Sequence, residues 1–311
     1  MKIAFLFSGQ GAQYSGMMKD LYDTNSEARN IFDTADKVLK RKITDLCFYG
    51  TEDELNITHN TQPCVLTSDL AAYSALKSNG ILPNAVAGFS VGEYAAIYAA
   101  GIIELEKVIE LIQMRADYMQ EAVPLGEGTM AAVNKLNYDE VEALCKEIDD
   151  YVVPANYNSP KQIVVSGKCS AIDKLCEIAT ERNIQVMKLA VSAPFHCELM
   201  SPVSDKLKPI IESLHLNSPS VPIYMNIDGK SESDLENIKE KLILQAKAPV
   251  RWNDTIVRMA NDGIDVFIEL GPGRTLTKFV KRILGNEVRA YNVTDIETLT
   301  KTLNEIKFNP I

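Results

Sequence analysis

The chain has 311 residues, 46% apolar and 24% charged, which suits a globular protein that is large for one core and ordinary for a two-lobed α/β enzyme. A formal net charge of −10 withholds the cationic footprint that phosphate backbones demand and argues against a general nucleic-acid binder. No apolar stretch is long enough to span a bilayer, and six cysteines without a Cys-x-x-Cys pair, at 47, 64, 145, 169, 176 and 197, read as reduced structural thiols of a cytoplasmic protein.

Met1 to Gln10 holds one charge and an apolar run of five residues, too short for a signal-peptide core, and reads as a first buried strand. A glycine-rich loop, Gly9-Gln-Gly-Ala-Gln13, comes next, then helical patterns over about 27–40 and 62–78. The second strand, Ala85 to Phe89, runs into Gly88-Phe-Ser-Val-Gly92 and continues at once as an alanine-rich helix ending near Gly101. A strand running straight into a helix turns sharply at Ser90, and Gly88 and Gly92 leave room for the crowded backbone. The hydroxyl is pushed into the open beside the unpaired first N–H groups of the new helix, the layout of a nucleophile elbow. An ordinary turn with a capping serine is the competing reading of the same five residues.

A long helix from about Glu104 to Val123 stops at Pro124. From Gly128 the rhythm changes to strand 129–133, helix 138–147, strands 152–157 and 162–167, helix 170–182 and strand 184–189. That βαββαβ order is the ferredoxin-like arrangement, here inserted into the larger fold. Helix 196–213, strand 223–226, helices 235–246 and 254–261, strand 266–270 and helix 275–284 then resume the α/β alternation. The expected division is a large lobe of 1–124 with 195–311 and a small lobe of 125–194, with the site in the cleft between them. Two basic clusters, Lys37, Lys40, Arg41 and Lys42, and Lys278, Lys281 and Arg282, suit either solvated helix faces or an acidic partner.

A serine nucleophile needs a base within hydrogen-bond reach, and three histidines are present. His59 reads as a solvated or capping residue in a polar loop, and His215 as a residue complementing a helix dipole. His196, after Pro194 and Phe195 where the small lobe returns to the large one, is the base candidate by elimination; a structural histidine is its alternative. No motif marks a carboxylate to orient the ring, and a backbone carbonyl would suffice.

Taken together these segments resemble the malonyl-CoA:acyl carrier protein transacylases and the related acyltransferase domains of polyketide synthases. Gly9-Gln-Gly-Ala-Gln13, Gly88-Phe-Ser-Val-Gly-Glu93, Met114-Arg-Ala-Asp-Tyr-Met-Gln-Glu-Ala-Val-Pro124, Asn156-Tyr-Asn-Ser-Pro-x-Gln162, Ser192-Ala-Pro-Phe-His196, Gln245 with Pro249-Val-Arg-Trp252, and Glu269-Leu-Gly-Pro-Gly273 fall in the family's order from end to end. The resemblance implies an α/β-hydrolase-like large subdomain with a ferredoxin-like insert. It implies that Ser90 is the nucleophile and His196 the base, that the backbone N–H groups of Gln10 and Val91 form the oxyanion hole, and that the Gln245 carbonyl orients His196. It also implies that Arg115 holds the free carboxylate of a malonyl group. A guanidinium fork matches a carboxylate bidentately, whereas the bland alternative is an arginine on the wet face of a long helix. Asn156, Asn158 and Gln162 either line the cleft or only form a turn.

The implied reaction is ping-pong malonyl transfer from coenzyme A thioester to the phosphopantetheine thiol of acyl carrier protein. It needs no metal or redox cofactor and engages no nucleic acid or membrane, and a monomer is the expected state. A trans-acting polyketide acyltransferase, a serine acyl-hydrolase and a non-catalytic carrier-protein scaffold are the alternatives on the same fold. One position departs from the family: Phe89 stands where histidine usually precedes the nucleophile. Phe195 is similar to the residue of malonyl-selective members, where its bulk leaves little space for an α-methyl branch.

Overall fold

The computed structural model describes residues 1–124, 126–191 and 193–308; Leu125 and Ser192, the first residue of the Ser-Ala-Pro-Phe-His motif, lie outside them. The strands, in chain order, are β1 (Ile3–Phe7), β2 (Ala85–Gly88), β3 (Gly128–Asn134), β4 (Val152–Ser159), β5 (Gln162–Lys168), β6 (Gln185–Lys188), β7 (Ile223–Tyr224), β8 (Ser231–Glu232), β9 (Val266–Leu270) and β10 (Arg289–Val293). They form two sheets, a six-stranded one in the order β10-β9-β1-β2-β7-β8 and a four-stranded one in the order β4-β5-β3-β6.

In the large sheet β10, β9, β1, β2 and β7 are parallel, and only the short β8 runs antiparallel at the edge. Every residue of β1, β2 and β9 is buried, as expected where helices cover both faces of parallel strands. That is why Ile-Ala-Phe-Leu-Phe reads as an unbroken apolar run and Val-Phe-Ile-Glu-Leu is interrupted only by the buried Glu269, neither strand alternating. Phe7 pairs with both Gly88 and Leu270, so the carboxyl ends of three central strands are level. The loops beginning at Ser8, Phe89 and Gly271 therefore emerge side by side, where α/β sheets place their ligands.

The small sheet is wholly antiparallel and has the strand order of the expected βαββαβ insert. Its alternation sorts the side chains. Ala131, Val133, Ile163 and Val165 pack against helices Tyr138–Lys146 and Cys169–Glu181, while Met130, Ala132 and Val164 face the cleft. Backbone hydrogen bonds from Tyr157 to Val250 and from Val250 to Ala155 tie β4 to the large lobe.

Several elements differ from the sequence reading. The helix expected at 196–213 begins at Ser201, after a single 3₁₀ turn at Glu198–Met200, because Pro202 fits only the first turn and His196 has a left-handed φ of 60°. The helix expected from residue 62 starts at Thr58, which places His59 in its first turn rather than in a loop. Pro63 within it lacks an N–H, and Gln113 Nε2 donates to the His59 carbonyl (3.3 Å) that this N–H would have reached. Strands β8 and β10, the short helices Lys19–Thr24, Ile43–Tyr49 and Glu52–Asn56, and the helix Ile296–Phe308 have no counterpart in the sequence reading. All six cysteines are unpaired, and no described helix is long and apolar enough to cross a membrane.

The elbow is packed too tightly for a side chain at Gly88. A Cβ on Gly88 would stand 1.9 Å from the backbone carbonyl of Gly92, whereas one on Gly80 would meet nothing within 4 Å. Gly88→Ala is therefore expected to lower the free energy of unfolding in urea by about 2 kcal/mol or more, against about 1 kcal/mol of left-handed backbone strain for Gly80→Ala. Equal effects would show that the elbow can relax.

Candidate active site

Strand β2 ends at Gly88 and the next helix begins at Gly92, so the chain reverses within three residues and holds Ser90 at φ 54°. The Ser90 N–H donates to Asn226 Oδ1 (2.8 Å), and its hydroxyl oxygen lies 2.7 Å from His196 Nε2. His196 is buried, with Nδ1 3.0 Å from the Gln245 carbonyl oxygen and 3.2 Å from that of Ala248. Two acceptors there require the proton on Nδ1, which leaves the Nε2 lone pair facing the serine hydroxyl. Burial and then the nearby Arg115 charge push the imidazole pKa down to about 4, so the ring is a neutral base near pH 7.

Arg115, on helix Leu105–Glu121, is 1% exposed. Its Nη1 donates to Gln62 Oε1 (2.5 Å), and its Nη2 to Gln245 Oε1 (2.9 Å) and Ser90 Oγ (3.1 Å). The guanidinium carbon lies 5.4 Å from the centre of the Tyr94 ring, and among the described residues Nε has no partner. Among the described residues no carboxylate bonds to this buried cation. The neighbouring acid, Glu93, is fully buried and takes hydrogen bonds from Asn226 and Gln245 instead. Burial outweighs those bonds and pushes the Glu93 carboxyl up to about 7. A desolvated cation without a bonded counter-ion is suited to receiving an anion from outside.

Ser90, His196 and Arg115 meet at the wall of a cavity of about 420 Å³ between the two sheets. Gln10 and Phe195 also line it, and so do Asn156, Asn158 and Gln162 from the small sheet. Asn158 Oδ1 is buried without a partner among the described residues, and Gln162 is held by Asn134 (2.8 Å). Among the described residues no hydrogen bond engages the backbone N–H of Gln10 or of Val91. Val91 itself is buried beneath the elbow and adds no side chain to the lining. Phe89 also lines the cavity and packs edge-on against Trp252 at 5.4 Å.

The other two histidines lie elsewhere. His59 contacts Asp117 and lies 2.7 Å from Arg41 in a half-exposed polar cluster, and His215 is exposed beyond helix Ser201–Ser213. Three site residues have no mark in the sequence reading: Gln62, Asn226 and Glu93 as a hydrogen-bonding partner. The side chain of Gln245 is likewise new, since only its carbonyl had been expected to act. Gln62 closes the polar stretch Thr58-His-Asn-Thr-Gln at the start of its helix, so nothing in the apolar pattern marks it. Among the described residues no group of three or more His, Cys, Asp or Glu could hold a metal ion.

The acyl transferase domain family matches residues 4–305. The malonyl CoA-acyl carrier protein transacylase of Bacillus subtilis is 37% identical over 310 residues, 98% of each chain, and that of Haemophilus influenzae 35% identical over 300 residues, 95% of this chain and 96% of the other. The crystal structure of the Clostridium perfringens malonyl CoA-acyl carrier protein transacylase superposes with a TM-score of 0.95 at 38% identity, covering 99% of this chain and 98% of that one. A malonyl-transacylase in complex with its type II polyketide synthase acyl carrier protein gives 0.94 at 36% identity, covering 98% and 100%.

The depressed imidazole pKa has a measurable sign. The base is lost only as pH falls through about 4, so the rate at which a fluorophosphonate labels Ser90 is expected to stay flat from about pH 8 to about pH 5. Arg115→Ala removes a positive neighbour and should move the acid limb to higher pH. A wild-type limb at the ordinary imidazole value of about 6.5 would contradict this account.

Proposed function

The chain belongs to the acyl transferase domain family, and from that premise we infer that it is a malonyl-CoA:acyl carrier protein transacylase working by a ping-pong mechanism. The observation that carries the malonyl assignment is Arg115, a buried guanidinium on the cavity wall, 3.1 Å from Ser90 Oγ, which among the described residues has an unpartnered Nε and is bonded to no carboxylate.

In the proposed first half-reaction His196 Nε2 takes the Ser90 hydroxyl proton as Oγ attacks the thioester carbonyl of malonyl-CoA. The oxyanion is held by the N–H groups of Gln10 and Val91, neither of which is engaged by any described residue. The tetrahedral intermediate collapses, coenzyme A leaves as its thiol with the proton from His196, and a malonyl ester remains on Ser90. In the second half the phosphopantetheine thiol of the carrier protein gives its proton to His196 and attacks the ester. Ser90 recovers its proton as the malonyl thioester departs. The Gln245 carbonyl keeps the imidazole in the required tautomer at both stages, in place of the carboxylate of a Ser-His-Asp triad. Arg115 binds the free carboxylate, while Asn156 and Phe195 shape the space beside it. This chemistry uses no metal or redox group.

An acyl-hydrolase would use the same serine and histidine but deliver the ester to water, and a scaffold would do neither. The two enzyme readings separate by product: malonyl transfer to carrier-protein thiol supports the transacylase, and free malonate supports the hydrolase. Arg115→Ala is expected to lower kcat/KM for malonyl-CoA about 100-fold, as loss of a charge-assisted pair does, and to affect acetyl-CoA much less. Equal losses on both substrates would contradict the carboxylate-binding role.

A further inference from the structure

The two oxygens of Glu93 are divided between two side-chain amides, and the division has a direction. Oε1 accepts from the backbone N–H of Asn226 (2.5 Å) and from its Nδ2 (2.9 Å), and Oε2 accepts from Gln245 Nε2 (2.7 Å). Asn226 takes the Ser90 N–H on Oδ1 (2.8 Å) and donates to the Gly88 carbonyl (2.6 Å). The Gln245 Nε2 also donates to the Ser90 carbonyl (2.8 Å), which turns Oε1 toward Arg115 Nη2 (2.9 Å). Glu93, Gln245, Asn226 and Arg115 are all at most 2% exposed, so water cannot repair a mismatch.

A carboxamide has nearly the same shape after a half-turn about its last bond, so packing alone does not decide which end of Gln245 meets the arginine. The decision falls to the two acceptors, Glu93 Oε2 and the Ser90 carbonyl, that hold the NH₂ end. Reversed, the amide would set its NH₂ against a guanidinium N–H and its oxygen against the Ser90 carbonyl and, with Glu93 ionised, against a carboxylate oxygen.

We infer that Glu93 is a positioning residue for acyl-group selectivity: through the amide of Gln245 it fixes the orientation in which Arg115 presents its guanidinium to the carboxylate of the acyl group. This rests on the reading of Arg115 as the carboxylate binder. Glu93 touches neither the acyl group nor the reacting atoms, and it acts only by deciding what faces the cation.

Glu93→Gln tests the direction of the network without changing its size. Its oxygen can still accept from Asn226, but its NH₂ then opposes Gln245 Nε2 and forces that amide over. The expected result is a fall in kcat/KM for malonyl-CoA at least about tenfold larger than for acetyl-CoA, the scale of one charge-assisted hydrogen bond, with most of the change in KM for malonyl-CoA. Gln245→Leu keeps the backbone carbonyl that binds His196 and should give the same selective loss; it carries the test alone if Glu93→Gln does not fold. Equal losses on both substrates in the folded variants, or no loss, would overturn the inference. Arg115→Ala measured alongside separates the two failures. If it also lowers both substrates equally, the carboxylate-binding reading fails; if it is selective and the others are not, only the role of Glu93 fails.

Discussion

The constraint on which the site depends is the room available at the elbow. Strand β2 and the helix after it are joined by three residues, and at that distance a Cβ at Gly88 would overlap the Gly92 carbonyl, while one at Gly92 would stand 2.3 Å from the Phe7 carbonyl. Only glycine at both positions lets the chain turn, and the turn leaves Ser90 at a positive φ that a side chain rarely adopts. His196, at φ 60°, faces it from the opposite wall. Strain at both partners is held by hydrogen bonds: Asn226 and Gln245 grip the two backbone groups of Ser90, and the carbonyls of Gln245 and Ala248 grip the imidazole.

The rest of the molecule brings these pieces into register. Level strand ends place the Gly9-Gln10 loop beside the elbow, and the small sheet closes the cavity with Met130 and Val164 on the face its helices leave free. The two ends of the insert meet closely. A Cβ on Gly128 would overlap the Pro194 ring, so the insert begins and the hinge ends against one another. Pro194 in turn sets the entry of the segment carrying Phe195 and His196. Phe89, the departure from the family pattern, fills its position with a ring stacked edge-on to Trp252, and the histidine common there is not needed for any hydrogen bond of the Ser90–His196–Arg115 cluster.

Much of this was legible in the sequence because it is local. β1 and β2 are unbroken apolar runs and β9 is broken only by Glu269, the insert shows its elements in order, and Ser90, His196 and Arg115 stand in short motifs. What was not legible is either brief or distant. Helices of five to seven residues are too short to show a period, and β10 is an edge strand whose residues are mostly half-buried. A left-handed backbone at His196 leaves no mark in an apolar pattern, so the helix after it was read as starting too early. The polar frame eluded the sequence because its partners are far apart in it: Asn226 lies 133 residues from Glu93, and Gln245 lies 152. No spacing rule connects them.

The central claim is that Ser90 carries the acyl group between two thiols. Intact-mass measurement after mixing with malonyl-CoA, followed by peptide mapping and then addition of phosphopantetheinylated carrier protein, tests it most directly. One malonyl group on Ser90, lost again as the carrier protein gains it, is the predicted result. Transfer without a covalent intermediate, or a malonyl group on any other residue, would contradict the account.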